Sequence, residues 1–289
     1  MKDVSIVIPA FNEENYIFNL VKEAIQAGFR CIVVDDGSVD DTAKFATVAG
    51  ARVVVMQSNV GNGAALRLGV TKAFDEGADV VVTLDGDGAH RVSDVADVVC
   101  VHRTGGADLT IGSRFLDRSM TVSMPTAKVD ANAFARLLFN GAMGTLRTDV
   151  ASGFRVIGRR ALSQLASDLT FGWTFEFLNN CIRSGLCVLE APIGVRYDAM
   201  DPWMTSRREL VNFLDYIFRE CVEFGDFRQA MLTCLESETR FAVLGPEECF
   251  ILHVVRELDS VIFQRQDVFF RGQLGRTKAL KLPISIWGS

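Results

Sequence analysis

No segment of the chain strings together the ~18 apolar residues that a membrane-spanning helix needs, and the N-terminus reads as a strand rather than a signal peptide. Both observations lead to an expected cytoplasmic location. Basic charge is in short supply: Lys plus Arg total 30 against 36 Asp plus Glu, a net of −6. That balance argues against general nucleic-acid binding, which wants a basic footprint. The seven cysteines show no zinc-like spacing; Cys100, Cys181 and Cys249 stand in apolar contexts and read as buried thiols in a reducing compartment. Internal repeats and low-complexity tracts are absent. What remains is an ordinary globular composition, 49% hydrophobic over 289 residues. A chain of this length can bury one large core and carry an appendage.

The chemistry concentrates at the ends of apolar runs. Asp79 to Leu84 (DVVVTL) reads as a buried strand, and Asp85-Gly86-Asp87 follows it. Carboxylates two positions apart point to the same side of an extended chain. Ligands of open α/β sheets bind beyond the carboxyl ends of the strands. Paired carboxylates there suit a hard divalent ion that prefers oxygen and shares substrate phosphates. Three upstream segments fit the same plan. VSIVIPAFNEE (Val4 to Glu14) is a strand stopped by Pro9, with Asn12 and Glu13 opening a helix. CIVVDDGSVDDT (Cys31 to Thr42) is a strand ending in Asp35-Asp36-Gly37-Ser38, with Ser38 or Asp40 placed to cap the next helix. NVGNGAALRLG (Asn59 to Gly69) is a glycine-rich turn into a helix, whose N-terminus favours anions. Taken singly, each is an ordinary βα turn; in order, they read as one nucleotide site built from successive strand tips.

With GSRF (Gly112 to Phe115), SGFR (Ser152 to Arg155) and Phe175-Glu176 added, the sequence resembles the inverting glycosyltransferases of family 2, which have the GT-A fold. Within that family it is most similar to the polyprenyl-phosphate sugar synthases, of the dolichyl-phosphate mannose synthase type. The resemblance runs from Val4 to Arg207. It implies metal-dependent transfer of a hexose from a nucleotide sugar (GDP-mannose or a UDP-sugar) to a polyprenyl or dolichyl-type phosphate. It places Pro9, Ala10, Phe11, Glu13, Asp36 and Asp85 around the base and ribose. Asp87, with Asp85, would hold Mg²⁺ or Mn²⁺. Arg114 and Arg155 join Asp87 as catalytic candidates because a guanidinium fork suits phosphate, although either arginine can instead pair with a carboxylate. Lys128, Ser152, Ser206 and Arg207 are the candidates for acceptor phosphate. A phosphate acceptor is already a nucleophile and needs no strong base; Glu176 is the candidate base if the acceptor is a hydroxyl. His90 follows the paired aspartates and either touches the diphosphate or caps the turn.

Two departures qualify the resemblance. Ala89 stands where this type often has a side-chain oxygen completing the metal site, and Arg91 replaces the usual proline. Relatives also often continue into transmembrane helices, which this sequence does not offer. The alternative is therefore a soluble glycosyltransferase acting on a small molecule, peptide or glycan. A binding protein with a degenerate site has only Ala89 in its favour. A nucleotidylyltransferase would want a glycine-rich loop with Arg and Lys after the first strand, and none is there.

Periodicity predicts strands near 3–9, 30–35, 52–56, 79–84 and 108–112, and helices near 13–27, 40–49, 62–75 and 92–103. This alternation implies an α/β fold with a mostly parallel sheet flanked by helices. Further on come a loop at 115–126, helices near 127–141, 159–167 and 173–184, a short strand at 155–157, and strand-like runs at 186–192 and 194–197. The expected organisation is a GT-A domain at 1–208 and a helical C-terminal appendage at 209–289. Within the appendage, Leu210, Val211, Leu214, Ile217, Phe218, Cys221 and Val222 share one helix face. That face suits packing on the domain or on a second subunit in a homodimer. Its acidic opposite face makes peripheral membrane contact the weaker expectation.

Overall fold

The structure is a computed structural model that describes residues 3–117, 124, 129, 132–133, 135–136, 139–140, 143–165 and 172–196. The expected appendage at 209–289, with its homodimer face, and most of the 115–126 loop lie outside the described residues. Of the helix expected at 127–141, residues 129, 132, 133, 135, 136, 139 and 140 are described, and all are helical.

Seven strands form one sheet: β1 (Val4–Ala10), β2 (Arg30–Asp35), β3 (Arg52–Val55), β4 (Val80–Thr83), β5 (Leu109–Ser113), β6 (Arg155–Gly158) and β7 (Val188–Pro192), in the order β3-β2-β1-β4-β6-β5-β7. Every pairing is parallel except the two made by β6, which runs antiparallel between β4 and β5. Both faces of the sheet are covered. Ile6 and Ile8 of β1, Val33 of β2 and Val82 of β4 pack with Leu20 and Val21 of α1 (Ile17–Gln26), Ala46 of α2 (Thr42–Val48) and Val95 and Val98 of α4 (Val95–Thr104). The opposite face carries α3 (Asn62–Asp75). Gly69 lets α3 lie close: a Cβ there would stand 2.5 Å from Val7 Cγ1 and 2.9 Å from Val34 Cγ2. Strands covered on both faces read as near-continuous apolar runs, which is what the sequence shows at β1, β2 and β4.

Three local expectations are corrected. Pro9 does not stop β1. It pairs in register with Val34, and its missing N–H is harmless because the ladder on the other side ends at Val7 and Thr83. The first helix begins at Ile17 rather than at 13. The amides of Asn12, Glu13 and Glu14 are taken instead by Ser38 Oγ, Thr42 Oγ1 and Asp40 Oδ2 of the loop after β2. Cys100 is exposed, because the buried stripe of α4 runs through Val95, Val98, Val99 and His102 and leaves residue 100 on the outer face. Cys187 is exposed as well, whereas Cys31 and Cys181 are buried, and burial pushes each of these two thiols up to about 12.

His102 gives the fold a pH dependence. It is buried at the end of α4, with Nδ1 3.0 Å from Thr110 Oγ1. Burial lowers it from 6.5 to about 4, against the pull of Asp108 and with help from Arg103. As pH falls below 6.5 the unfolded chain takes up this proton and the folded chain does not. Stability therefore declines between pH 6.5 and about 4, by on the order of 2–3 kcal/mol from this group. Urea midpoints measured across that window should fall with acidification, and the His102→Gln variant should flatten the slope.

Candidate active site

The parallel strands bring the C-terminal tips of β1, β2, β4 and β5 to one edge. Because β6 is antiparallel, its N-terminal end reaches the same edge, with Arg155 opposite Thr83 on one side and Ile111 on the other. Thr83 closes the seam: its Oγ1 donates to Gly153 O at 2.6 Å and accepts from Arg155 N at 3.2 Å. This pairing carries Ser152-Gly153-Phe154 against Asp85-Gly86-Asp87. A Cβ on Gly153 would overlap both carboxylate oxygens of Asp85, so only a glycine fits there with Asp85 in place.

Asp85 is 37% exposed along its side chain and receives a 2.9 Å hydrogen bond at Oδ2 from His90 Nε2. Burial by the surrounding protein pushes its acidity down. The bond and field of His90, then the charges of Arg114 and Arg155, outweigh that, so the pKa lies below the usual 3.8 and the group is an anion at neutral pH. Asp87 is exposed, and its Oδ1 accepts from Ala89 N at 2.9 Å. Anionic carboxylate oxygens on a strand tip fit a hard divalent cation. Among the described residues no cluster of three or more His, Cys, Asp or Glu is placed to hold a metal by itself. Two protein carboxylates completed by substrate oxygens or water is the pattern Mg²⁺ favours.

The loops after β1 and β2 are stitched together. Besides the three amide bonds above, Val39 N donates to Asn12 Oδ1 and Asp41 N to Glu14 Oε2. Asp41, not Ser38 or Asp40, is the N-cap residue of α2 and makes no side-chain cap bond; Asp40 stands one residue earlier, where its Oδ1 accepts from Thr42 N. Glu13 lies beside the aspartate loop, its Cγ 3.1 Å from where a Cβ on Gly86 would stand. Pro9 and Ala10 end β1, and Phe11 is 43% exposed just beyond them, an aromatic surface at the same edge. Asp36 is buried and already engaged: Oδ1 and Oδ2 accept from Val60 N at 2.8 Å and Gly61 N at 2.7 Å. The anion held by the glycine-rich turn before α3 is thus the protein's own Asp36.

The arginines sit deeper than the site edge. Arg114 is buried and donates to Asp149 through Nε at 2.7 Å and one terminal nitrogen at 2.9 Å, and to Asn132 Oδ1 at 2.8 Å. Arg155 is 0% exposed, with Nε bonded to Ser152 O and a terminal nitrogen to Val150 O. Burial lowers it to about 10, opposed mainly by Asp149. These two bonds hold the 150–152 turn, while Nη1 is buried with no hydrogen-bond partner among the described residues. Ser152 is buried, and its Oγ accepts from Phe154 N. Glu176, half-buried in the first turn of the helix Trp173–Arg183, has an Oε2 with no hydrogen-bond partner among the described residues. Lys128, Ser206 and Arg207 lie outside the described residues.

Sequence reasoning missed Asp149. Its carboxylate accepts from Arg114 N, Nε and a terminal nitrogen, and from the amides of Ala151 and Ser152. Glu190 supports it in turn, accepting from the amides of Thr148 and Asp149. The available signal was an acidic residue three positions before Ser152-Gly153, the spacing of a side chain that closes a turn on its own backbone.

With this geometry in view, comparison with known proteins is decisive. Residues 5–166, more than half the chain, match the family model described as Glycosyl transferase family 2. The chain belongs to glycosyl transferase family 2. It is 30% identical over 186 residues to UDP-N-acetylglucosamine–dolichyl-phosphate N-acetylglucosaminyltransferase of Methanococcus voltae, across 58% of this chain and 74% of that protein. It is also 30% identical over 207 residues to polyprenol monophosphomannose synthase of Mycolicibacterium smegmatis, across 65% and 75%. Glucosyl-3-phosphoglycerate synthase of Mycobacterium tuberculosis, solved with Mn²⁺, UDP and glucosyl-3-phosphoglycerate, aligns with a TM-score of 0.53 at 24% identity over 76% of this chain and 80% of its own. The fold of this glycosyltransferase is therefore GT-A, and its class is hexosyltransferase. Among the described residues, no helix of the glycosyltransferase is long and apolar enough to cross a membrane.

Proposed function

We propose that this glycosyltransferase moves a hexose, with inversion, from a nucleoside-diphosphate sugar to a polyprenyl-type phosphate at a site held by Asp85 and Asp87. The observation that carries the reading is the anionic Asp85, fixed by His90 and Gly153 on the same sheet edge as the exposed Asp87 and the β1 tip. The relatives named for transfer to dolichyl and polyprenol phosphates support the acceptor class. A divalent cation bound there would neutralise charge developing on the departing diphosphate. Pro9, Ala10, Phe11 and Glu13 border the base and ribose, and Asp36 holds the turn beneath them. Lys128, Ser206 and Arg207 are the proposed acceptor contacts, and Ser152 shapes the turn beside Asp85. Arg114 positions that turn through Asp149, and Arg155 through the carbonyls of Val150 and Ser152. A lipid phosphate arrives as an anion and attacks without a base, so Glu176 has no proton to take. The protein would work at the cytoplasmic side of the membrane, in peripheral contact with its lipid acceptor.

The test is a screen of UDP- and GDP-sugars with Mg²⁺ or Mn²⁺, with and without a polyprenyl phosphate. Transfer to the lipid that stops in excess chelator is the expected result. Efficient, metal-dependent transfer to a neutral hydroxyl acceptor, with the lipid phosphate inert, would replace this reading with the soluble-acceptor one and make Glu176 the base to test.

A further inference from the structure

We propose that His90 is a positioning residue for Asp85: its Nε2–H fixes the carboxylate in the orientation that receives the cation. The proposal rests on reading Asp85 and Asp87 as the cation site. It begins with what His90 costs. The ring is 3% exposed, and its Nδ1 is buried with no hydrogen-bond partner among the described residues. A buried polar atom left unmatched is a desolvation cost that an apolar side chain would avoid. The Nε2–H tautomer is the one that strands no N–H, because the other nitrogen faces no acceptor. Nothing about filling this space requires an imidazole, since the ring stands edge-on to Phe154 with centroids 5.7 Å apart and an interplanar angle of 88°. What requires it is the 2.9 Å bond to Asp85 Oδ2.

The ring is itself anchored. The His90 backbone forms an isolated antiparallel bridge with Val195, and Ala89 O accepts from Arg196 N at 2.9 Å. On the opposite side Gly153 leaves room for the carboxylate and none for a Cβ. Asp85 is thus held between a donor and a backbone wall, with Oδ2 engaged and Oδ1 without a hydrogen bond among the described residues. A carboxylate restrained in this way loses less rotamer freedom when a cation arrives. Hydrogen bonds to a metal-binding carboxylate typically change metal affinity 10- to 100-fold when removed. The tether has particular weight in this chain, because Ala89 brings no side-chain oxygen to the loop.

The test measures Mn²⁺ binding to the full chain by electron paramagnetic resonance, with UDP and with GDP, and nucleotide affinity separately without metal. His90→Phe keeps a ring beside Phe154 and removes the donor. Its Mn²⁺ affinity is expected to fall about 10- to 100-fold, with metal-free nucleotide affinity unchanged. His90→Gln, whose amide nitrogen lies about where Nε2 does, should recover most of the loss. His90→Asn, whose shorter side chain falls short of Asp85, should not. Undiminished Mn²⁺ affinity in His90→Phe overturns the proposal. So does an equal loss in the Gln and Asn variants that also weakens metal-free nucleotide binding, which marks a merely structural role. If the unaltered protein binds no Mn²⁺ with either nucleotide, the Asp85–Asp87 cation reading itself fails, and the proposal with it.

Discussion

Replacing Asp87 with alanine is expected to lower transfer by about 10²- to 10³-fold, the usual loss when one preorganised electrostatic stabiliser is removed, while the protein stays folded. The geometry separates the two effects. Asp87 is exposed beyond the end of β4 and outside the apolar core. Its bond from Ala89 N is local to its own loop. In the proposed role its carboxylate would help a cation neutralise the charge that grows as the diphosphate departs, so a loss in kcat is expected beside any change in donor KM. Steady-state kinetics beside a thermal melt makes the check. A variant that turns over at the wild-type rate, or wild-type activity unaffected by excess chelator, would remove the metal-dependent mechanism.

Asp149→Ala is expected to be the most destabilising single change near the site. The side chain is 0% exposed and ion-paired to Arg114. Removing it leaves a buried guanidinium without its carboxylate, and the amides of Ala151 and Ser152 without their acceptor. Breaking a buried pair by deleting one partner costs about 3–5 kcal/mol. The Asp149 carboxyl opposes burial with the charge and hydrogen bonds of Arg114, and these hold it below 3.8. Its contribution is therefore complete above that value and is lost as pH falls through the lowered folded one. Urea denaturation at neutral pH should show the loss for alanine and a smaller one for Asp149→Asn, which keeps the shape and part of the bonding. Combining Asp149→Ala with Arg114→Met should recover part of the loss, since no charge is then stranded. Additive single losses would instead mean that the pair is not coupled. Because the 150–154 turn walls Asp85, activity should fall with stability in the alanine variant.

The strand tips were legible in the sequence because each strand there is covered by helices on both faces. An apolar run ending abruptly in Asp, Gly or Ser is then visible without knowledge of its neighbours. Asp85, Asp87 and the β1 tip fall where that pattern put them. What stayed hidden depends on pairings distant in the chain. The direction of β6 is set by partners at Val80–Thr83 and Leu109–Ile111, and four apolar residues look the same in either direction. Residue type and motif position point Arg114 and Arg155 either to phosphate or to a carboxylate. Only the fold reveals that Asp149 and the carbonyls of Val150 and Ser152 claim them. Asp36 was visible as a strand-tip acid; that the amides of Val60 and Gly61 claim it was not. The late start of α1 has the same origin: Asn12 takes a left-handed φ of 58° and bonds across to the loop after β2.

The antiparallel strand has one more consequence, for the order in which the chain assembles. β5 and β7 reach the rest of the sheet only through β6. During synthesis β1 to β4 can pair as they emerge, but β4 then presents an open edge, and its four residues are buried in the finished fold. That edge stays uncapped until Arg155–Gly158 emerges, some seventy residues later, with Thr83 waiting for Arg155. Closing so long a loop is slow relative to local pairing, and an open apolar strand edge is a site for association between chains. Fragments ending before residue 155 should thus be far more prone to aggregate than those ending after residue 158. The four residues of β6 decide whether the two halves of the sheet ever meet.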